Sequence, residues 1–328
     1  MNDRNLLARA LWIEGPGSCA VREETLNPPV RDEVVVKTLF SGISRGTERV
    51  IFSGSVPESE RASMRAPFQE GDLPGPLKYG YCNVGRVEAG ERSLVGQTVF
   101  CLFPHQSRYV VPRQALVPVP PGVPPERALL TANMETAVNA VWDSGMSVGM
   151  RVVVVGAGAV GLLVAHLAAL TPGVEVAIIE KNRNRWPTCQ ALGLTCVERP
   201  EFTPDIVFEA SASADGLQQA LNIAGMETRI VELSWFGDKD LTINLGGAFH
   251  SKRLSIIASQ VGQIAPRQRA RWTHRQRLRL AISLLADPRL DTLISATTSF
   301  ATLAKDYERI LLHSPDTLCH AVDYRSEA

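Results

Sequence analysis

The sequence predicts an α/β protein of two domains, one β-rich and one built on a doubly wound parallel sheet. A glycine-rich turn joins an apolar strand to a helix within residues 151–180, and strands then alternate with helices as far as residue 259. Residues before 113 instead form short strands separated by glycine, proline and polar residues. Alternating strands and helices are typical of parallel sheets, whereas strand-rich segments with frequent turn residues are typical of antiparallel ones.

The glycine-rich turn carries the strongest functional signal in the chain. Val152–Val155 form a short apolar run that predicts a parallel strand buried on both faces. Gly156, Gly158 and Gly161 follow with the spacing G-x-G-x-x-G. In a dinucleotide site the first glycine permits the turn, the second admits a pyrophosphate, and the third lets the helix pack on the strand. A turn that serves packing alone is the alternative, but the strands and helix in register around it favour dinucleotide binding.

The residues after the glycines predict how the cofactor is held. The helix N-terminus at Ala159 and Val160 would direct its N–H groups and the positive end of the helix dipole at the phosphates. Glu180 ends the second strand, where its carboxylate would accept hydrogen bonds from the adenosine ribose. A carboxylate there repels a 2′-phosphate, so we expect NAD. Lys181 and Arg185 follow directly and keep NADP as the alternative.

Glycine, proline and polar residues interrupt the first part of the chain. Strands are expected at residues 33–39, 83–88 and 97–103. Residues 41–48 form a polar segment, and the long loop at 55–76 is typical of a lid or binding loop. The proline-rich tract at 117–126 ends regular structure and marks a domain boundary.

Helices and strands alternate beyond this boundary. Helices are expected at residues 128–142, 214–224, 275–285 and 301–312, and strands at 205–210, 229–233, 254–259 and 293–298. We therefore assign residues 122–260 to the parallel-sheet domain. Residues 1–121 together with 261–328 are assigned to the β-rich domain.

Length and composition argue against several classes of protein. With 328 residues and 45% hydrophobic content, the chain is long enough for two domains with separate cores. A formal net charge of zero gives no general attraction to nucleic acid or a membrane surface, and no apolar run approaches the ~20 residues that span a bilayer. The N-terminal residues lack a signal-peptide pattern, and the six cysteines are scattered. We expect a cytoplasmic protein whose partner is a small molecule.

Four segments resemble the medium-chain dehydrogenase/reductase superfamily, in its alcohol dehydrogenase-like form. They are Gly42–Glu48, Gly80–Gly85, Gly156–Gly161 and Lys252–Ile256. The resemblance covers nearly the whole chain and implies a GroES-like catalytic domain and a Rossmann nucleotide-binding domain. It also implies NAD(P)-dependent hydride transfer to or from an alcohol or carbonyl substrate in the interdomain cleft. A homodimer that pairs along a sheet edge near residues 254–259 is implied as well.

The chain departs from this family at the positions that would bind zinc. The first zinc cysteine is replaced by Ser44 or Arg45, and the histidine and glutamate of the second segment are replaced by Tyr81 and Cys82. The third ligand falls near Ala132, and the four-cysteine lobe of the zinc-dependent members is missing. Because zinc requires three or four converging nitrogen, sulfur or carboxylate ligands, we expect an enzyme of a zinc-lacking branch, with no metal.

The residues at these replaced positions are the candidate catalytic groups that the resemblance implies. Without zinc, hydrogen-bond donors must hold the substrate oxygen as it becomes negative. Tyr81 offers a phenol, Arg45 a fixed positive charge, and Thr47 a hydroxyl that could relay a proton. Each has a structural alternative: Tyr81 could pack beneath the sheet, Arg45 could form a surface ion pair, and Thr47 with Glu48 could form a turn or helix cap.

Three further residues are candidates through the same resemblance. Thr136 begins the crossover helix, which passes close to the nicotinamide in similar enzymes, and its neighbour Glu135 is either a general base or a helix-terminus charge. His250 precedes the last strand of the nucleotide domain and could reach the site, although a lone histidine is usually structural.

The segment 267–279 contains six arginines and one tryptophan. A solvated loop and helix face is the structural interpretation. The functional alternatives are contact with an anionic substrate or with nucleic acid, and the zero net charge of the chain favours the substrate. Two other functions also stay open. The chain could reduce an activated carbon–carbon double bond, as zinc-lacking relatives of quinone and enoyl reductases do, or it could bind a nucleotide without catalysis as a redox sensor or scaffold.

Overall fold

The computed structural model describes residues 6–327 and divides the chain into two compact units. The first unit runs to Ala132 and resumes at Ile294, and the second unit is Asn133–Leu293. The elements before the second unit are β1 (Leu6–Gly15), β2 (Ser18–Leu26), β3 (Glu33–Ser44), α1 (Arg45–Phe52), β4 (Leu77–Lys78), β5 (Asn83–Ala89), β6 (Thr98–Cys101), β7 (Arg108–Pro112), β8 (Val117–Pro118) and α2 (Pro125–Ala128).

The remaining elements alternate strands with helices and then return to the first unit. They are α3 (Thr131–Ser144), β9 (Arg151–Val155), α4 (Ala159–Ala169), β10 (Glu175–Ile179), α5 (Trp186–Ala191), β11 (Cys196–Val197), β12 (Ile206–Glu209), α6 (Ala214–Ile223), β13 (Arg229–Glu232), α7 (Ala248–Ser251), β14 (Ser255–Ala258), α8 (His274–Ser283), β15 (Ile294–Ser299), α9 (Leu303–Leu312) and β16 (Cys319–Asp323).

The first unit is organised around β3. This strand lies inside a seven-stranded sheet with the order β15-β16-β3-β5-β6-β8, and β7 also pairs with it. Val34–Val36 are almost completely buried, as expected for β-branched residues at the centre of a sheet. The predicted polar segment is divided between two elements, because β3 continues to Ser44 and α1 begins at Arg45. A second sheet has the order β2-β1-β4.

The second unit contains the predicted doubly wound sheet. Its strand order is β11-β10-β9-β12-β13-β14, and every neighbouring pair is parallel. Val152–Val155 are at most 3% exposed, which confirms the expectation of a strand covered on both faces. The strand order reverses between β9 and β12, and ligands of open α/β sheets bind at such a switch point. The predicted fold class is confirmed.

Residues 261–293 lie in the second unit, and this differs from the boundary expected from the sequence. α8 begins at a capping box in which Thr273 and Gln276 bond each other's backbone N–H, and it then buries Arg277 against Glu135 and Asn139 of α3. The charge pattern predicted a solvated face, whereas this one arginine attaches the helix to the rest of the second unit. Residues 122–132 lie instead with the first unit.

Candidate functional site

The glycine turn at the end of β9 has room for a ligand at one of its three glycines. Gly156 has φ +101°, and a Cβ there would lie 2.8 Å from Ser211 N. A Cβ on Gly161 would lie 2.0 Å from the Gly156 carbonyl oxygen. The fold itself therefore requires these two glycines. At Gly158 a Cβ would meet no described atom within 4 Å, so the open space there fits the close approach of a pyrophosphate.

The helix after this turn presents its N-terminus to the same space. Gly158 is the N-cap of α4 and makes no side-chain capping bond, and Ala159 and Val160 are the first two helical residues. Both are partly buried. The N–H groups of a first helical turn and the helix dipole together attract phosphate oxygens. The predicted cofactor residues of this turn thus lie together, in an arrangement that fits a dinucleotide.

Glu180 connects the glycine turn to the end of β10. Its Oε2 accepts a hydrogen bond from Ala157 N at 2.7 Å, and its Oε1 accepts one from Asn182 N at 2.6 Å. Arg185 Nη1 lies 3.4 Å from Oε2 in a partly buried ion pair. The carboxylate therefore fixes the turn from within the protein. Each oxygen of a carboxylate has two acceptor positions, so a ribose hydroxyl can still be bound.

The basic residues beyond Glu180 are largely engaged with acidic partners. Arg185 pairs with Glu180, while Arg183 pairs with Glu198 and stacks on the Trp186 ring at 4.0 Å. Lys181 is exposed. Because these two arginines are paired, they offer less positive charge to the 2′-phosphate that distinguishes NADP from NAD.

In the first unit, the structure brings together two residues from the replaced zinc positions. The Ser44 hydroxyl and the Tyr81 phenol share a side-chain hydrogen bond. Burial raises the pKa of Tyr81 well above its usual value, and nearby Cys82, Tyr79 and Glu48 raise it further, against the opposing effect of this hydrogen bond. The Tyr81 ring packs edge-on against Tyr79, with centroids 6.1 Å apart. Tyr81 is consequently a neutral phenol, which can donate a hydrogen bond.

A buried carboxylate fixes the segment that carries Ser44. Glu48 is 0% exposed, and its Oε1 accepts a hydrogen bond from Ser44 N at 2.7 Å. Its Oε2 accepts one from the Tyr307 hydroxyl at 2.7 Å and lies 3.0 Å from His105 Nε2. A buried carboxyl group needs such partners to offset the loss of hydration. Glu48 therefore holds the end of β3, the start of α1, the loop before β7 and α9 in one arrangement.

The same network continues to the C-terminal end of the first unit. His105 Nδ1 lies 2.7 Å from Ser41 Oγ, which lies 2.9 Å from the Tyr324 hydroxyl. With Glu48 ionised and His105 neutral, Nε2 donates to Glu48 and Nδ1 accepts from Ser41, which in turn accepts from Tyr324. Sequence reasoning missed His105, Ser41 and Tyr324, together with Tyr307. Only the topology brings these distant residues together, and no local spacing marks them.

Arg45 and Thr47 lie on α1, beside this network. Arg45 Nε donates to the carbonyl oxygen of Leu311 at 3.0 Å, near the C-terminal end of α9. A cation at a helix C-terminus is favourable because it complements the helix dipole. Thr47 is partly exposed in the first turn of α1. The contact gives Arg45 a structural explanation, and the catalytic roles of both residues stay predictions.

Cys82 is the one thiol at the replaced zinc positions. Burial raises the pKa of Cys82 well above its usual value, and nearby Cys319 and Glu48 raise it further, so the group is a neutral thiol. Within residues 6–327, no group of three or more histidine, cysteine, aspartate or glutamate side chains could hold a metal. Cys82 therefore places a small buried thiol at this replaced zinc position.

The other predicted catalytic residues lie in the second unit. Glu135 is 5% exposed and pairs with Arg277, whose Nε lies 3.1 Å from Glu135 Oε1. Burial raises the pKa of Glu135, and Arg277 opposes this shift. Thr136 is the next residue on α3 and is partly buried, whereas His250 is exposed on α7. The ion pair explains Glu135 structurally, and a role as general base stays a prediction, as do the roles of Thr136 and His250.

Five of the six arginines in the segment 267–279 are exposed, and the buried one is Arg277. Contact of this segment with an anionic substrate stays a prediction.

β14 forms an edge of the six-stranded sheet, as the predicted dimer contact requires, but dimer formation itself also stays a prediction. Among residues 6–327, none of the helices is long and apolar enough to cross a membrane.

Comparison with known proteins returns dehydrogenases. No family model matches this sequence. A 2-desacetyl-2-hydroxyethyl bacteriochlorophyllide A dehydrogenase from Cereibacter sphaeroides is 26% identical over 196 residues, which are 54% of this chain and 57% of that protein. This match thus spans little more than half the length of the relative. A D-guloside 3-dehydrogenase from Escherichia coli K12 is 23% identical over 94% of this chain and 97% of that protein.

Solved structures with the same fold cover almost the whole chain. An alcohol dehydrogenase from Escherichia coli CFT073 in complex with NADH superposes with a TM-score of 0.76 at 17% identity, over 97% of this chain and 99% of the other. A dehydrogenase from Sinorhizobium meliloti 1021, classed as zinc-binding and bound to NADP, gives the same TM-score, identity and coverage. The chain therefore has the fold of the alcohol dehydrogenase-like, medium-chain oxidoreductases.

Proposed function

We propose that this chain is an NAD(P)-dependent dehydrogenase that transfers hydride between the nicotinamide and the carbon of an alcohol or carbonyl substrate, without zinc. The observation that carries the proposal is the open space at Gly158, in front of the N-terminus of α4. The neighbouring glycines are required by internal contacts, whereas Gly158 has room on the side where a pyrophosphate would lie. The dehydrogenases among the relatives and structural neighbours support the same activity.

NAD is the favoured cofactor. The carboxylate of Glu180 lies at the end of β10, where an adenosine ribose would be held and a 2′-phosphate would be repelled. The pairing of Arg185 with Glu180, and of Arg183 with Glu198, weakens the attraction of these arginines for a 2′-phosphate. The exposed Lys181 keeps NADP open as the alternative.

Tyr81 is the proposed donor to the substrate oxygen. The nicotinamide supplies or accepts the hydride, so the oxygen on the reacting carbon gains or loses a proton. A neutral phenol can donate a hydrogen bond to that oxygen and, during carbonyl reduction, pass it the proton, which then returns from solvent. The hydrogen bond from the Ser44 hydroxyl stabilises the phenolate that this transfer leaves.

Glu48 is proposed to position this pair. It accepts a hydrogen bond from Ser44 N and is itself fixed by His105 and Tyr307. Because Glu48 is fully buried, it acts through Ser44 and does not touch the substrate. Precise placement of donors accounts for a large part of enzymatic rate acceleration, since a preorganised site needs no rearrangement during reaction.

The activity is tested with the purified protein, NAD⁺ or NADP⁺, and a panel of alcohols and polyols. A dehydrogenase generates reduced cofactor, which is followed by absorbance. Tyr81→Phe is expected to lower kcat by about 100-fold or more with little change in cofactor affinity, because it removes the proton donor and keeps the ring. Tyr109→Phe is the matched control, because it removes a buried phenol hydroxyl that has no hydrogen-bond partner among the described residues, and it should leave kcat unchanged. Consumption of NADH by enones alone would assign double-bond reduction, and binding without turnover would assign a sensor or scaffold.

Zinc independence needs its own experiment, because a structural neighbour is classed as zinc-binding. The expected result is substoichiometric zinc by elemental analysis and activity that survives dialysis against a chelator. Stoichiometric zinc that is lost in Cys82→Ser would contradict this part of the proposal and leave the dehydrogenase activity intact.

A further inference from the structure

Two glutamates end neighbouring strands of the parallel sheet. Glu209 is the last residue of β12 and Glu232 the last of β13, and the two are directly opposite in register. Glu209 is 0% exposed and Glu232 is partly buried. Two carboxyl groups therefore lie side by side at the carboxyl edge of the sheet, where open α/β sheets bind their ligands.

Hydrogen-bond donors serve three of the four carboxyl oxygens. Glu209 Oε1 accepts from Ser211 N at 2.9 Å and from the Ser211 hydroxyl, and Glu209 Oε2 accepts from Ser234 Oγ at 2.7 Å. Glu232 Oε1 accepts from Ser234 N at 2.8 Å. Glu232 Oε2 is buried without a hydrogen-bond partner among the described residues. A proton between the two carboxyl groups resolves this, because a protonated carboxyl donates to its neighbour.

The surroundings of the pair favour this shared proton. Burial raises the pKa of Glu232 to about 8, and the charge of Glu209 and its hydrogen bond raise it as well. The residues opposite the pair on the flanking strands are Val155 and Ala258, and α6 approaches with Gly216. These neighbours carry no charge, so Glu209 is the titratable group that acts on Glu232. One carboxyl of the pair is consequently protonated at neutral pH.

The pair lies next to the glycine turn, on the side opposite to Glu180. A Cβ on Gly156 would lie 2.8 Å from Ser211 N, so the loop that Glu209 holds adjoins the turn after β9. Glu180, at the end of β10, marks the adenosine side of the switch point. The two halves of a dinucleotide lie on opposite sides of such a switch point, which directs the nicotinamide half toward β12 and β13.

We propose that Glu209 and Glu232 share one proton and that this acid pair responds to the charge of the nicotinamide ring. The inference rests on the proposed function. The positively charged ring of NAD⁺ stabilises the doubly ionised pair, so binding of NAD⁺ near neutral pH releases part of this proton to solvent. The ring of NADH is neutral, so the pair keeps its proton when NADH binds. The acid pair thereby makes the relative affinity for the two cofactor forms depend on pH.

Calorimetric titration of the full chain with NAD⁺ and with NADH tests the inference. Titrations in two buffers that differ in protonation enthalpy count the protons released. Between about pH 6.5 and about pH 9 the wild-type affinity for NAD⁺ should rise by about tenfold, the effect of one pKa unit of coupling, while the affinity for NADH does not rise. Glu232→Gln should remove this difference, and the exposed control Glu175→Gln should keep it. Equal pH profiles in the wild type and Glu232→Gln overturn the inference.

Unfolding by urea without cofactor tests the shared proton independently. Folding raises the pKa of the Glu232 carboxyl, so its protonated form stabilises the folded state. This stabilisation is complete below the unfolded-state pKa of about 4.3 and is lost as the pH rises toward the folded-state pKa of about 8. Glu232→Gln cannot ionise, so its stability relative to the wild type should increase across this range, whereas Glu175→Gln should show no such trend. A flat difference for Glu232→Gln overturns the shared proton. If neither cofactor binds the wild type at any pH, the proposed function fails as well, and the unfolding result still reports on the proton.

Discussion

Arg277 on α8 and Glu135 on α3 form a buried ion pair, with side chains 1% and 7% exposed and Nε 3.1 Å from Oε1. Arg277 also donates to Asn139 Oδ1 at 2.5 Å and to the carbonyl oxygens of Val261 and Gln263. One side chain thus connects α8, α3 and the segment between β14 and α8. This relationship explains why a helix rich in arginine packs into the second unit.

Replacement of Arg277 is expected to destabilise the second unit. Arg277→Ala leaves Glu135 buried without its partner, and loss of one member of a buried pair costs about 3–5 kcal/mol. Arg275→Ala, at an exposed position on the same helix, should change the free energy of unfolding by less than about 0.5 kcal/mol. Urea unfolding of both variants measures the difference. Equal effects would show that the ion pair is not what holds α8.

Two glycines of the turn are expected to differ in what they support, Gly158 the binding of cofactor and Gly161 the stability of the fold. Gly158→Ala places a methyl group in open space and should cost about 1 kcal/mol of stability or less, yet weaken NADH binding by about tenfold or more. Gly161→Ala forces a methyl group to within 2.0 Å of the Gly156 carbonyl oxygen and should destabilise the unit itself. Thermal unfolding and fluorescence titration with NADH distinguish the two variants. Unchanged NADH affinity in Gly158→Ala would place the cofactor elsewhere.

The contact between Tyr307 and Glu48 predicts a loss of stability when the hydroxyl is removed. Tyr307→Phe takes one donor from a fully buried carboxyl and should cost about 1.5–3 kcal/mol. Tyr109→Phe is the matched control, because the Tyr109 hydroxyl is equally buried but lies beside only the weakly bonding thiol of Cys101. Its cost should stay below about 1 kcal/mol. Chemical denaturation measures the free energy of unfolding of both variants. Equal losses would show that the hydrogen bond from Tyr307 to Glu48 does not stabilise the first unit.

Glu180 predicts the cofactor preference. Glu180→Gln keeps a carbonyl oxygen as acceptor but removes the negative charge and releases Arg185 from its ion pair. We expect the affinity for NADPH to rise by about tenfold relative to NADH, since one charge repulsion becomes an attraction. Dissociation constants for both reduced cofactors measure this, with Glu175→Gln as the control. An unchanged ratio means that the adenosine ribose is bound by another group.

The parts of the structure that follow from local spacing were predictable from the sequence. The glycines, the valine strand and Glu180 lie within thirty consecutive residues, and the periodicity there determines both the fold and the turn. The parallel sheet also follows, since alternating strands and helices are typical of a doubly wound sheet, whereas the order of its strands was not predicted.

The acid pair and the Glu48 network were not predictable, because they depend on the pairing of distant strands. Glu209 and Glu232 face each other only because β12 and β13 are neighbours in a particular register. His105 and Tyr307 meet Glu48 from positions 57 and 259 residues away along the chain. The burial of Arg277 was not predictable for a different reason. It lies among exposed arginines, and nothing in the sequence distinguishes it from them.

The pairing of β3 with β16 has a consequence for the order of folding during synthesis. Residues Phe40–Ser44 of β3 pair with Cys319–Asp323, so this part of the strand lacks its β16 neighbour until the ribosome has passed residue 323. The second unit is continuous and emerges complete before that point. Domains that emerge whole fold as units during translation. The second unit can therefore form first, and the first unit keeps an open strand edge, a site at which strands of other chains can pair, until β16 is made.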